Sequence, residues 1–410
     1  MYENQNYLKG VGKMEYCSKC VYPLSAANLD ISDGSCSACQ SAEQMSNMPD
    51  TFWQARQQRF KELLMENRSL DGSRYDCLIP VSGGKDSYYQ THLVVKELGL
   101  KPLLVTYHGN NYLPEGDFNR DMMRHHFDAD HIVVGPSIKT LRKLNKLTFK
   151  LMGDMNWQNH CGIMTVPIQI AVKFKIPLII WGEIAWDISG MHDIDDQVEF
   201  SARMRHEHSL RGYEWENLIS YTDENLTEQD LLWTKYPSDE EVLDSGVRGV
   251  YVGNYYKWES NIHSKQMVDL YGFKESQVPF QRTYRRASNL DDRYENGVHD
   301  LLKFIKFGYG RASDHASKDI RTGDMTREKA IEMVRKYDHI ISDDLSHWLE
   351  YVNMSENEFW QIADTFRDPN VWWIQDGEWW KDNIWGVKSS YGKVYLAKEK
   401  QEKYLFREDQ

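Results

Sequence analysis

Tyr75-Asp76-Cys77-Leu78-Ile79-Pro80-Val81-Ser82-Gly83-Gly84-Lys85-Asp86-Ser87 runs from a short apolar strand straight into a polar turn with two adjacent glycines. Residues 88–98 follow with helical periodicity, and Gly99 is a natural stop. Strand, glycine loop and helix in that order make an anion cradle. Gly83 and Gly84 let backbone N–H groups point inward at close range, and the helix N-terminus adds unpaired donors and a partial positive charge. Ser82 and Ser87 can donate hydroxyl hydrogen bonds, and Lys85 can neutralise phosphate. Asp86 would repel phosphates by itself. It fits as the ligand of a Mg2+ that bridges them, or as a cap of the loop. The spacing is neither the Walker loop G-x4-G-K-[ST] nor G-x-G-x-x-G.

Further along, residues 101–107 and 129–134 read as strands. Residues 117–127, 138–152 and 166–174 read as helices, and 177–181 as a buried strand ending in Gly182-Glu183. Strands alternating with helices predict an α/β fold with a doubly wound parallel sheet. In such sheets the ligand lies beyond the carboxyl ends of the strands, here at Ser82–Ser87, after Val105 up to Tyr107 and beyond, and at Glu183. Glu183 then faces the phosphates or their metal, unless it is a solvated strand-end carboxylate. Cys161 stands near a helix start, a position that can activate a thiol, but no second cysteine accompanies it. A place in a substrate pocket or in packing is expected for it rather than catalysis.

Upstream, Cys17, Cys20, Cys36 and Cys39 form two C-x2-C knuckles. That spacing suits a closed structural zinc site, with an iron–sulfur cluster or redox pairs as the alternatives. Four Cys ligands leave no open position for catalysis; the expected role is to staple a segment too small to fold alone.

The chain has 410 residues, enough for roughly two or three domains. Its formal charge is 49 − 62 = −13, which disfavours phosphate-backbone gripping and so a nucleic-acid partner. The longest apolar run, residues 176–181, is strand-sized. With no basic-then-apolar start, a cytoplasmic protein with no membrane partner is expected. The expected division is a zinc-ribbon-like module over 1–45, a nucleotide domain over 46–325 with a substrate-binding insertion at about 184–300, and a C-terminal helical region with a Trp-rich hairpin over 326–410. In the insertion, Asp187 and His192 follow the Glu183 strand end and can reach the site. His206 and His208 would diverge on a helix and read as surface histidines. Arg311, Asp314, Lys318, Asp319 and Arg321 follow an apolar helix; Arg suits bidentate binding of phosphate or carboxylate, while a solvated helix face is the other reading. Ser355 with Glu358 forms a capping box, and Asp376-Gly377 marks a hairpin whose tryptophans suit a core better than a sugar platform.

Ser82-Gly83-Gly84-Lys85-Asp86-Ser87 resembles the PP-loop signature S-G-G-x-D-S of the N-type ATP pyrophosphatases. Together with Cys17–Cys39, the run from Asn159 through Trp181-Gly182-Glu183, and residues 303–314 continuing to about Tyr337, it is similar to the N-acetyl sugar amidotransferases of bacterial surface-polysaccharide and flagellin sugar biosynthesis. The resemblance implies an ATP-dependent conversion of a sugar acetamido group to an acetamidino group, in O-antigen, LPS or nonulosonic-acid synthesis. ATP would be cleaved between its α and β phosphates with Mg2+. Lys85, Asp86 and Glu183 would be catalytic, with Ser82, Gly83, Gly84, Ser87 and Tyr107 also holding ATP. Cys161, Asp187, His192, Arg311, Asp314 and Arg321 would hold the sugar, and structural Zn2+ would sit on the four cysteines. No segment resembles a glutaminase, so ammonia is expected from a separate glutaminase and cyclase-like pair resembling the imidazole-glycerol-phosphate synthase subunits. A tRNA-thiolation enzyme on the same loop is the alternative; it would favour a basic surface and paired catalytic cysteines.

Overall fold

The computed structural model describes residues 14–26, 29–109, 111–182, 199–200, 205–206, 211–221, 224–292 and 294–405. Glu183, Asp187, His192 and His208 lie outside them.

Chain order begins with a hairpin, β1 (Ile31–Ser32) and β2 (Ser35–Cys36), then α1 (Ser37–Ser46) and α2 (Asp50–Asn67). The parallel sheet follows: β3 (Cys77–Pro80), α3 (Lys85–His92, continued by a π-helical turn Leu93–Glu97), β4 (Pro102–Tyr107), α4 (Pro114–Phe127), β5 (Asp130–Val134), α5 (Ile138–Met152), α6 (Trp157–Phe174) and β6 (Leu178–Trp181). After the short α7 (Trp215–Ile219) and α8 (Asp239–Ser245) comes a further strand, β7 (Arg248–Tyr251). All five strands β3–β7 are parallel, in the order β5-β4-β3-β6-β7. The order reverses between β3 and β6, so the crevice at the topological switch point opens beyond the end of β3, where the glycine loop begins.

The apolar runs are continuous because the central strands are buried on both faces. Along β3, Leu78 joins Leu103, Ile179, Val166 and Ala171 on one face, while Ile79 joins Leu104, Ile180, Tyr88 and Phe127 on the other. The period-2 alternation of a strand thus feeds two separate cores.

Two expectations are corrected. Segment 184–300 is not only an insertion over the sheet, since β7 extends the sheet itself, registering with β6 from Leu178↔Arg248 to Trp181↔Tyr251. Its apolar core, Gly249-Val250-Tyr251, is too short to announce itself. Helix α6 begins at Trp157 rather than 166. Its first turns carry Gln158 and Asn159, which break the apolar period but find buried partners. The Tyr107 hydroxyl donates to Gln158 Oε1 at 2.5 Å, and Asn159 Nδ2 donates to Glu295 Oε2 at 2.9 Å.

Downstream lie α9 (Ser260–Tyr271), α10 (Glu295–Phe307), α11 (Arg311–Arg321), α12 (Arg327–Tyr337), α13 (Asp344–Val352) and α14 (Glu356–Ala363). An antiparallel sheet closes the described chain: β8 (Trp373–Gln375), β9 (Glu378–Asp382) and β10 (Lys388–Lys393). Asp376 and Gly377 both have positive φ, 53° and 78°, as a two-residue primed turn needs. Trp372, Trp373 and Trp379 are buried there, so they serve the core and no sugar platform. Among the described residues no helix is long and apolar enough to cross a membrane.

Candidate active site

Ser82 leaves β3 and the loop closes on itself. Ser82 N–H donates to Ser87 Oγ at 3.0 Å and Gly84 N–H to Ser82 Oγ at 3.2 Å. Gly83 has φ +84°, and a Cβ there would stand 2.7 Å from the Arg120 backbone, so only glycine fits. Gly84 is the N-cap of α3 and offers no side-chain cap, which leaves the first helix amides facing the crevice for an anion. Lys85 Nζ meets Asp86 Oδ2 at 2.6 Å, while Asp86 Oδ1 is buried without a hydrogen-bond partner. Burial alone would raise the Asp86 carboxyl, but Lys85 and Lys318 outweigh it and hold it below its usual value. An ionised carboxylate with an unused oxygen beside a phosphate cradle fits a divalent cation.

Two unlike cavities meet at this loop. One, of about 420 Å³, is lined by Lys85, Arg285, Lys303, Arg311, Lys318 and Arg321 against Asp86, Asp291 and Asp314. Six cations less three carboxylates leave +3 on its wall, in a chain whose formal charge is −13. The other, of about 340 Å³, lies over the ends of β3, β4 and β6 and is lined by Val105, Tyr107, Tyr112, Asn156, Met164 and Trp181 among others. Ser82, Ser87 and Asp291 border both.

The cationic wall is built by α10, α11 and the segment before them. Lys303 Nζ contacts both Asp314 oxygens at 2.6 and 2.7 Å, and Arg311 Nε donates to Asp300 Oδ1 at 2.9 Å. Asp314 pulls Lys303 above its usual value against the opposing effect of burial. Arg285 pairs with Asp319. His315 is pushed well below the usual imidazole range by burial and by Arg285, Arg311, Lys85 and Lys318, so it is neutral. Arg311, Asp314 and Arg321 are therefore brought to the loop, 220 and more residues away in sequence, as roughly measured along the chain. Tyr107 is brought to the second, aromatic cavity, whose charged wall residues are Asp291 and Asp292.

Cys161 is placed elsewhere. It is wholly buried, its Sγ lies 3.4 Å from Thr234 O, and it borders neither cavity. Burial pushes its thiol far up, against the activation that a helix start would bring. Its role is packing, not substrate binding. Conversely, Tyr22, Arg285, Asp291, Lys303 and His315 line the site without having stood out for it in the sequence. Tyr22 follows the first cysteine pair, Arg285 lies in the basic stretch Arg282, Arg285, Arg286, and His315 lies among Arg311–Arg321.

The four N-terminal cysteines are buried with their sulfurs mutually within 4.8 Å. Cys17 and Cys39 Sγ stand 4.0 Å apart, Cys20 and Cys36 Sγ 3.6 Å. Four sulfurs about 2.3 Å from one ion would stand about 3.8 Å from each other, so a single tetrahedral ion fits. This knuckle is part of the site: the Tyr22 hydroxyl donates to Asp314 Oδ1 at 3.0 Å, and Arg327 donates to the carbonyls of Cys17 and Cys20 at 3.2 and 3.0 Å. A second group, Asp154, His160 and His299, suits a cation less well, because Arg211 already pairs with Asp154 and stands 3.1 Å from His160 Nε2.

Residues 283–384 match the family model described as LPS biosynthesis protein WbpG-like, C-terminal domain. The match takes in Asp291, Lys303 and all of α11. No curated protein matches the chain. Among solved structures, the U34-tRNA thiolase NcsA from Methanococcus maripaludis with its 4Fe-4S cluster is 15% identical. That alignment covers 81% of this chain and 93% of that chain at a TM-score of 0.28.

Proposed function

We propose that this chain, whose residues 283–384 match the WbpG-like C-terminal domain of LPS biosynthesis, is an ATP-dependent amidotransferase that turns a sugar acetamido group into an acetamidino group. One observation carries the reading: a partly aromatic cavity at the switch point, lined by no lysine or arginine, and a strongly cationic one share the SGGKDS loop as their border. Adenosine suits the first, with Tyr107 on its wall. The outer phosphates suit the amides at the start of α3, with Lys85, Lys318 and Arg285 offsetting their charge. Asp86, with its unused oxygen, would hold a Mg2+ that neutralises charge on the departing pyrophosphate.

An amide carbonyl is a poor electrophile. Attack of its oxygen on the α-phosphorus expels pyrophosphate and leaves an O-adenylyl imidate. Ammonia adds to that carbon, and AMP leaves with the former amide oxygen. Positioning and charge neutralisation supply most of such a rate enhancement. The acetamido sugar, nucleotide-linked in this reading, lies in the cationic cavity, where Arg311, Lys303 and Arg321 meet its anionic part. Zinc fits the four cysteines as a structural ion. The reaction belongs in the cytoplasm, where ATP is available, and its ammonia comes from a separate glutaminase with a cyclase-like companion.

Thiolation on the same loop is the second reading, and the placement of the cysteines favours it less. Cys77 and Cys161 are fully buried with their thiols pushed up by burial, and the other four cysteines face one another. The test is mass spectrometry of a panel of UDP- and CMP-linked acetamido sugars incubated with the protein, ATP, Mg2+ and ammonium chloride. A product about one dalton lighter, O replaced by NH, is expected together with AMP and pyrophosphate. AMP formation that depends on bulk tRNA and on no sugar would overturn the reading.

A further inference from the structure

Ser82, Ser87 and Asp291 border both cavities, and Asp291 is the one carboxylate among them. If adenosine fills the aromatic cavity and the outer phosphates rest on the α3 amides, the α-phosphorus and the carbon it activates lie at this shared border. Asp291 is held there from both sides. Leu113 N–H donates to the carbonyl of the preceding Leu290 at 3.0 Å, and the following Asp292 caps α10 by accepting from Glu295 N–H at 2.9 Å. Leu290 also abuts Gly116 of α4 so closely that a Cβ at Gly116 would collide with its carbonyl. Ser82, Tyr112, Asp292 and Arg311 are the polar and charged groups that interact with the Asp291 carboxyl. Burial raises it, against Ser82 and Arg311, which makes it a better proton acceptor than an ordinary carboxylate.

The other groups around the cationic cavity are unsuited to take a proton. Asp314 is engaged by Lys303 and Tyr22, and Asp86 by Lys85. His315 Nδ1 is bound to Thr283 Oγ1 at 2.6 Å and borders only the cationic cavity. We infer that Asp291 is the catalytic base of the ammonia step, an inference that rests on the amidotransferase reading above. The ammonia lone pair forms the C–N bond to the protonated O-adenylyl imidate. One N–H proton of the new ammonium passes to the Asp291 carboxylate. The C–O bond to AMP then breaks, its electron pair leaving on the AMP phosphate, and the amidinium remains. Asp291 afterwards returns the proton to solvent.

The two half-reactions separate this claim from the reading it rests on. Acceptor-dependent exchange of radiolabelled pyrophosphate into ATP reports adenylation alone, and 15N from ammonium chloride entering the sugar reports the second step. The acceptor is whichever sugar of the UDP- and CMP-linked panel turns over. Asp291→Asn should keep exchange within about threefold of the native protein while 15N incorporation falls by about 100-fold or more. Hydroxylamine, whose adduct sheds its proton far more readily, should restore much of the lost rate. Incorporation that survives in Asp291→Asn, or that falls only in step with exchange, overturns the inference. Should Asp291→Asn not fold, Asp291→Glu decides in the same way, with exchange kept and incorporation down at least about tenfold because the carboxylate is displaced. Absence of acceptor-dependent exchange in the native protein would instead sink the amidotransferase reading.

Discussion

Ser82 and Asp86 do different work in one loop, and their substitutions should fail differently. Ser82→Ala removes the acceptor for Gly84 N–H and the hydroxyl beside Ser87, so the loop loses its internal lock. Asp86→Ala removes the buried oxygen suited to a divalent ion. Each should cut the rate of AMP formation by about 10²–10³-fold, in the range seen when one preorganised group is lost. Raising Mg2+ should recover part of the rate for Ser82→Ala and none for Asp86→Ala.

Protonation at single residues also sets a pH limit on the fold. Burial lowers His160 to about 3 and both His131 and His263 to about 4, from the ordinary 6.5. Their neutral forms are favoured in the folded state, so protons bind the unfolded chain better. The stabilisation is present above about pH 6.5 and is lost as pH falls toward 4. A melting temperature measured from pH 7.5 to 4.5 should decline below 6.5, and less steeply for His160→Gln.

Elements β3, α3 and α4 meet at Gly83. Gly83→Ala faces a strained φ and the Arg120 backbone together, so α4 or the loop must shift. ATP binding measured by titration should be lost even where the fold survives. The C-terminal sheet is a different matter. Trp379 is fully buried, edge-on to Tyr404 at 5.0 Å and beneath Arg367 at 4.6 Å. Trp379→Ala should cost about 3–5 kcal/mol of stability in denaturant unfolding, while ATP affinity of the folded fraction stays unchanged.

Across the whole molecule, Tyr22 of the N-terminal knuckle, α11 and the SGGKDS loop line one cavity, so loss of an ion from the knuckle should weaken acceptor binding. Tyr22→Phe removes the hydroxyl that braces Asp314 and should raise the acceptor KM severalfold with a smaller change in kcat. Stripping the ion with a chelator, or Cys36→Ser, should lower the melting temperature and raise the same KM. Metal analysis should give one ion per chain before treatment.

The alternation of strands and helices, the glycine loop, the four-cysteine knuckle and the Asp376-Gly377 turn were all legible in linear sequence. Each is specified by neighbours a few residues away, through φ preference, side-chain period or ligand spacing. Helix 138–152 was legible to its ends because Ser137 and Gly153 cap it locally. Strand β7 was not, being four residues long with its stability supplied by β6. The beginning of α6 was hidden because its polar residues face buried partners rather than water. Only the tertiary structure could decide that Cys161 is core, that Tyr22 touches Asp314, and that Asp291 stands between two cavities. Those facts depend on which distant segments the packing brings together, and no local pattern encodes that.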